Sequence, residues 1–281
     1  MPSVSVPTRV RIGPVMAGLL LGLLALMLSA CDDDFDQAQA SVDNVPVLRI
    51  ACETTLAHPI AILARQFEDE TGTHVVVTTG TSRTLYEGLK ANRDGDLYLP
   101  VSLFYRDDTV ADGLLGEARR IGFNVAALIV LKGNPNGIAP SLEALADPSK
   151  TVVIASPEAS SIGQETRRIL SRRGLYEAVT ANATVSETDS RGLMRALLDG
   201  SADVILNWRG AAFTPGVRER VDVIDLDLDV AVPKTLALNL LTVSRQPERA
   251  RQFMDLAASP RGQAILREFG FLDTGGHGFG E

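Results

Sequence analysis

The sequence predicts an α/β fold built on largely parallel sheet. Short apolar runs rich in Val and Ile alternate with segments of helical period. Several of those runs end on Thr or Ser clusters of the kind that start helices. Hydrophobic residues make up 45% of 281 residues, enough to bury a sizeable core.

The elements follow in order. Residues 45–51 read as a first strand, with Pro46 tolerable at its start, ending at Cys52-Glu53-Thr54-Thr55. Ile60, Leu63, Ala64 and Phe67 then recur at helical spacing, and Gly72 stops that helix. Residues 75–77 form a second strand running into Thr78-Thr79-Gly80-Thr81-Ser82, and a helix with Leu85 and Leu89 follows. Residues 97–99 are a third strand. A second set of units starts near Phe123, with an apolar strand over 125–131 and the turn Gly133-Asn134-Pro135-Asn136. Ser141 caps a short helix, and a strand over 152–155 opens onto Ser156 to Gly163. Helices around Ile169 and over 193–198 precede a strand at 204–207. Residues 236–243 are the last strand, and Phe253, Ile265 and Leu266 lie on terminal helices. There is no internal repeat.

The N-terminus has a separate logic. Arg9 and Arg11 precede an apolar stretch from about Val15 to Met27, which closes on Leu28-Ser29-Ala30-Cys31. Charge, apolar core and small residues in that order read as a secretory leader over 1–30, too short to span a bilayer. The last four residues resemble the bacterial lipobox, which implies lipidation at Cys31 and an extracytoplasmic, membrane-anchored protein. Residues 31–44, with their acidic start at Asp32-Asp33-Asp34, read as a flexible tether.

Charge and cysteine usage exclude several classes. The formal charge is −8, and removing the leader with its two arginines and no acids brings it to −10. Nucleic acid and anionic lipid are therefore not expected partners. With Cys31 lipidated, Cys52 has no partner for a disulfide within the chain. His58, His74 and His277 are too scattered for a zinc motif. Neither a Gly-x-Ser-x-Gly elbow nor a P-loop is present, so binding rather than catalysis is expected, with no cofactor.

Binding chemistry gathers at the strand ends. Thr54-Thr55, Thr81-Ser82 and Ser160-Ser161 each sit where a strand opens onto a helix. Ligands in parallel α/β sheets lie beyond the carboxyl ends of strands, where free amides and helix dipoles favour an anion. Any one hydroxyl alone reads first as an ordinary helix cap; three such pairs in matching contexts point to a shared pocket.

The order of segments resembles the periplasmic molybdate-binding proteins, within the type II periplasmic binding proteins. It covers most of 45–272 and rests on Thr54-Thr55, on Gly80-Thr81-Ser82-Arg83-Thr84-Leu85 and on Asp96-Leu97-Tyr98-Leu99. Lys132-Gly133-Asn134-Pro135 and the run from Ser259 to Leu266 with Phe269-Gly270-Phe271 add to it. The resemblance implies two lobes, 45–123 with 234–281 and 124–233, that close on a small oxyanion such as molybdate or tungstate. It further implies a monomer that hands its ligand to an ABC permease. Carried over by position, Thr54, Thr55, Thr81 and Ser82 are first-lobe donors and Ser160 and Ser161 second-lobe donors. Asn207 falls near a tyrosine position of the family. Arg209 is either an anion contact or the partner of an acidic neighbour, and Trp208 either lines the cleft or packs in the core. Glu53 departs from the pattern, because a carboxylate beside the first donors repels an oxyanion. Cys52, Glu53 and His58 support a second reading, a metal-binding or sensory protein on the same scaffold.

Overall fold

The computed structural model describes residues 45–101, 103–158, 160–186, 188–273 and 275. The leader, Cys31 and the tether up to residue 44 lie outside the described residues.

Two five-stranded sheets organise the chain. The first contains β1 (Val47–Glu53), β2 (His74–Gly80), β3 (Leu97–Leu99), β4 (Leu115–Asn124) and β10 (Lys234–Leu241), in the order β2-β1-β3-β10-β4. The second contains β5 (Ala126–Leu131), β6 (Val152–Ala155), β7 (Thr184–Ser186), β8 (Val204–Trp208) and β9 (Val221–Ile224), in the order β7-β6-β8-β5-β9. Each sheet has a single reversed strand. β10 runs antiparallel to β3 and β4, and β5 antiparallel to β8 and β9. The other pairs are parallel, as the sequence predicts. The chain passes from the first sheet to the second at residues 124–126 and returns between β9 and β10, so the C-terminus rejoins the first lobe.

Helices cover the sheets by the apolar stripes read from the sequence. Helix α1 (Ala57–Thr71) buries Ile60, Leu63, Ala64 and Phe67. It ends where Gly72 takes φ 64° and its N–H bonds the carbonyl of Glu68, a left-handed cap that favours glycine. Helix α2 (Ser82–Asn92) buries Leu85 and Leu89. Helix α3 spans Leu103–Ala111. In the second lobe come α4 (Ser161–Arg172), α5 (Tyr176–Asn182) and α6 (Ser190–Leu198). The terminal helices α7 (Pro247–Ala258) and α8 (Pro260–Glu268) return to the first lobe, where Phe253 and Leu266 join its core. Each lobe has its own core, and Trp208 is buried in that of the second. At about 25 cal/mol per Å2 of buried apolar surface, these two cores are the main stabilising contribution.

The lobes touch where the return of the chain meets β8. A Cβ on Gly210 would lie 2.6 Å from the Phe271 ring, so only glycine admits this approach. Lys234, at the start of β10, reaches the Glu165 carboxylate of α4 at 3.2 Å, with both side chains largely buried.

Candidate functional site

The first-lobe edge of the site is the 3-10 turn Thr54–Leu56, which β1 delivers at its carboxyl end. Glu53, the last residue of β1, caps this turn. Its Oε2 accepts the Thr55 N–H at 2.8 Å and the Thr55 hydroxyl. Glu53 is only 6% exposed. Burial is the main cause that pushes its carboxyl up from the ordinary range to about 7. The bonds from Thr55 oppose that shift, the charge of Asp189 adds to it, and Arg191 opposes it. Thr54 presents a buried Oγ1 that has no hydrogen-bond partner in the protein.

The second-lobe edge is the start of α6. Asp189 caps this helix, accepting the N–H groups of Arg191 at 3.0 Å and Gly192 at 3.1 Å. The same carboxylate holds the Arg191 guanidinium at 3.1 Å. Ser190 donates its hydroxyl to Asn207 Oδ1 at 2.5 Å, and Asn207 Nδ2 donates to the Ser190 carbonyl at 2.9 Å. Asn207 is fully buried, so its role here is to fix the start of α6.

Between these edges lies a cavity of about 610 Å3. Thr54, Thr55, Ala57 and His58 line it from the first lobe. From α6 come Ser190, Arg191, Met194, Arg195 and Leu198, and Asp199 closes that side. Ala211, Pro215, Val217 and Arg220 form the remaining wall. Three arginines thus line one cavity. None of the three stands out in the sequence, although Arg191 and Arg195 are four apart and therefore share a helix face.

The other expected site residues lie elsewhere, none of them lining this cavity. Thr81 caps α2, accepting the Thr84 N–H at 3.1 Å. Ser82 is buried and accepts the Val101 N–H at 3.2 Å. Ser160 caps α4 through the Gly163 N–H at 3.3 Å, and Ser161 accepts the Trp208 indole N–H at 3.2 Å. As acceptors, Ser82, Ser160 and Ser161 each retain a hydroxyl proton to donate. Of the two roles open to Arg209, the structure takes the acidic neighbour. Its Nε donates to Asp225 at 2.8 Å, and its Nη1 donates to the Gly270 carbonyl at 3.0 Å.

The alternative metal set does not assemble. The Cys52 thiol is fully buried in the first-lobe core and donates to the Glu53 carbonyl at 3.3 Å. Burial and the neighbouring Glu53 charge push its ionisation well up. His58 is exposed and stacks on Phe269 with ring centroids 6.2 Å apart. Among the described residues, no three His, Cys, Asp or Glu side chains are placed to hold a metal ion. Nor is any described helix long and apolar enough to cross a membrane.

Comparison with known proteins places this geometry in context. A family described as bacterial extracellular solute-binding protein matches residues 48–272. The molybdate-binding protein ModA of Mycobacterium tuberculosis is 23% identical over 258 residues, covering 90% of this chain and 96% of that protein. Among solved structures, the Azotobacter vinelandii periplasmic molybdate-binding protein superposes with TM-score 0.66 at 17% identity, covering 80% of this chain and 98% of that one. The sulfate-binding protein SubI of Mycobacterium tuberculosis superposes with TM-score 0.71 at 15% identity, covering 82% and 87%. At these identities the structural matches establish the fold, with two lobes of the type II periplasmic binding kind.

Proposed function

The chain belongs to the bacterial extracellular solute-binding protein family, and from that premise we propose that it is the capture component of an ABC transporter. In this reading a lipid on Cys31 anchors it outside the cytoplasm. The two lobes close on a small oxyanion, of which molybdate and tungstate are the first candidates, and present it to a membrane permease. The single observation that carries the reading is a cavity lined by Thr54 from one lobe and by Arg191 and Arg195 from the other, with a buried Thr54 hydroxyl that has no partner in the protein. An unsatisfied buried hydroxyl costs roughly 1–3 kcal/mol, which an accepting ligand offsets. Thr54 belongs to one lobe and the arginines to the other, so a ligand touching both favours the closed arrangement. Charge-assisted bonds from guanidinium groups supply the attraction that the neutral donors lack. The expected donors Ser82, Ser160 and Ser161 retain their hydroxyl protons, whereas the Thr81 hydroxyl is hydrogen-bonded to that of Thr84 at 2.6 Å.

A thermal-shift panel tests this. Molybdate, tungstate, sulfate, phosphate, arsenite and divalent metals are compared on the mature protein. At about a hundredfold excess over Kd, a true ligand adds roughly 2.7 kcal/mol of stability. An oxyanion is expected to raise Tm, and Thr54→Val to weaken it about tenfold, the loss of one charge-assisted hydrogen bond. Stabilisation by divalent metals alone overturns the proposal.

A further inference from the structure

The cavity between Thr54 and α6 is larger and more apolar than a bare tetrahedral oxyanion requires. Its volume of about 610 Å3 lies within the range that encloses organic ligands, about 300–1,000 Å3. Met194, Leu198, Ala211 and Val217 give it apolar walls, against which an inorganic ion makes no favourable contact. The amides best suited to an inorganic anion are also occupied. The chain's own carboxylates, Glu53 at the Thr54–Leu56 turn and Asp189 at the start of α6, accept the Thr55, Arg191 and Gly192 N–H groups. Thr54, Arg195 and Arg220 line the same cavity, the Thr54 hydroxyl without a protein partner and Arg220 Nη2 donating to the Leu198 carbonyl at 3.4 Å. The Arg195 side chain makes no hydrogen bond or ion pair among the described residues, and its charge acts on Asp199 at the end of α6.

We propose that the ligand is an organic anion, whose acid group meets Thr54 and the arginines and whose apolar body lies against Met194, Leu198 and Val217. The inference rests on the reading of this cavity as the ligand site and adds the class of ligand. An anion with an apolar body gains there by leaving water, and a bare oxyanion does not.

Titration calorimetry on the mature protein separates the two readings. The probes are phenylphosphonate against inorganic phosphate, and benzoate against acetate. Burying a phenyl group predicts that each aromatic acid binds about tenfold or more tightly than its small counterpart. Val217→Trp fills the cavity and is expected to erase that preference, the aromatic acid then binding no more tightly than its small counterpart. Leu198→Gln gives the same readout should the tryptophan variant not fold. A preference that is absent in the wild type, or that survives both substitutions, overturns the inference. If inorganic oxyanions bind and the aromatic acids gain nothing, this inference alone falls. If no anion of either kind binds, the proposed function falls with it.

Discussion

At Glu53, burial works against charge. Its carboxyl titrates at about 7 in the folded chain, against an ordinary value of 4.5. An unfolded chain loses this proton near pH 4.5 and the folded one near 7, so the folded state is penalised as pH rises across that window. The penalty grows to about 3 kcal/mol above pH 7. Glu53→Gln keeps an acceptor for Thr55 and removes the charge. Thermal unfolding at pH 5.5 and 8.0 is expected to show wild-type Tm falling more steeply with pH than that of the variant; equal slopes contradict it. An anion beside Thr54 also disfavours the carboxylate, so wild-type anion affinity is expected to decrease from pH 6 to 8. The variant's affinity is expected to stay level in the same calorimetric titration. That Thr54 and Thr55 line a cavity was legible because strand ends of parallel sheets are where clefts form. Arg220 was not, because only tertiary folding brings it beside Arg191 and Arg195. Asn207 and Arg209 read as ligand contacts because polar residues at a strand end look available. Burial commits both to protein partners, Ser190 for the first and Asp225 with Gly270 for the second.

Helix α6 is the element that connects fold to site. Asp189 caps it and at the same time orients Arg191. Asp189→Ala is expected to cost about 1 kcal/mol of stability, the usual worth of such a cap, measured by denaturant unfolding. It also frees two amides at the edge of the cavity. If those amides are the natural grip for an inorganic anion, phosphate affinity rises in this variant; no change confirms that the guanidinium groups dominate. Elements with strong apolar patterning were legible, including β1, α1, β5, β6 and β8. Strand β4 was not. Its sequence Leu115–Asn124 carries Glu117, Arg119 and Arg120 on an exposed sheet edge, and pairing with β10 fixes it as a strand. The short edge strands β7 and β9 escaped for the same reason, since few of their residues are buried. Strand direction was also hidden. The reversal of β5 and β10 follows from the two passages of the chain between lobes, and an alternation of apolar residues does not encode it.

At the scale of the molecule, two polar links accompany the passages between lobes. Arg209 bonds the Gly270 carbonyl of the returning C-terminal segment, and Lys234 meets Glu165 of α4. Arg209→Ala leaves Asp225 and that carbonyl without their donor. A loss of about 2 kcal/mol is expected in chemical denaturation, the cost of deleting hydrogen bonds to a buried charged group. Small-angle scattering of the same variant is expected to show a larger radius of gyration without ligand than the wild type; identical profiles would show that the tie does not restrain the lobes. The proposed lipid anchor has its own test: Cys31→Ala is expected to move the protein from the membrane fraction to the soluble one. The central claim is that an acid group is held between the lobes, by the Thr54 hydroxyl on one side and α6 guanidinium groups on the other. A crystal structure of the mature protein with the tightest-binding anion of the panel tests it most directly. The predicted result is an acid group within hydrogen-bond distance of Thr54 Oγ1 and of Arg191 or Arg195. An acid group bound at another strand end, with Thr54 still unpartnered, contradicts the claim.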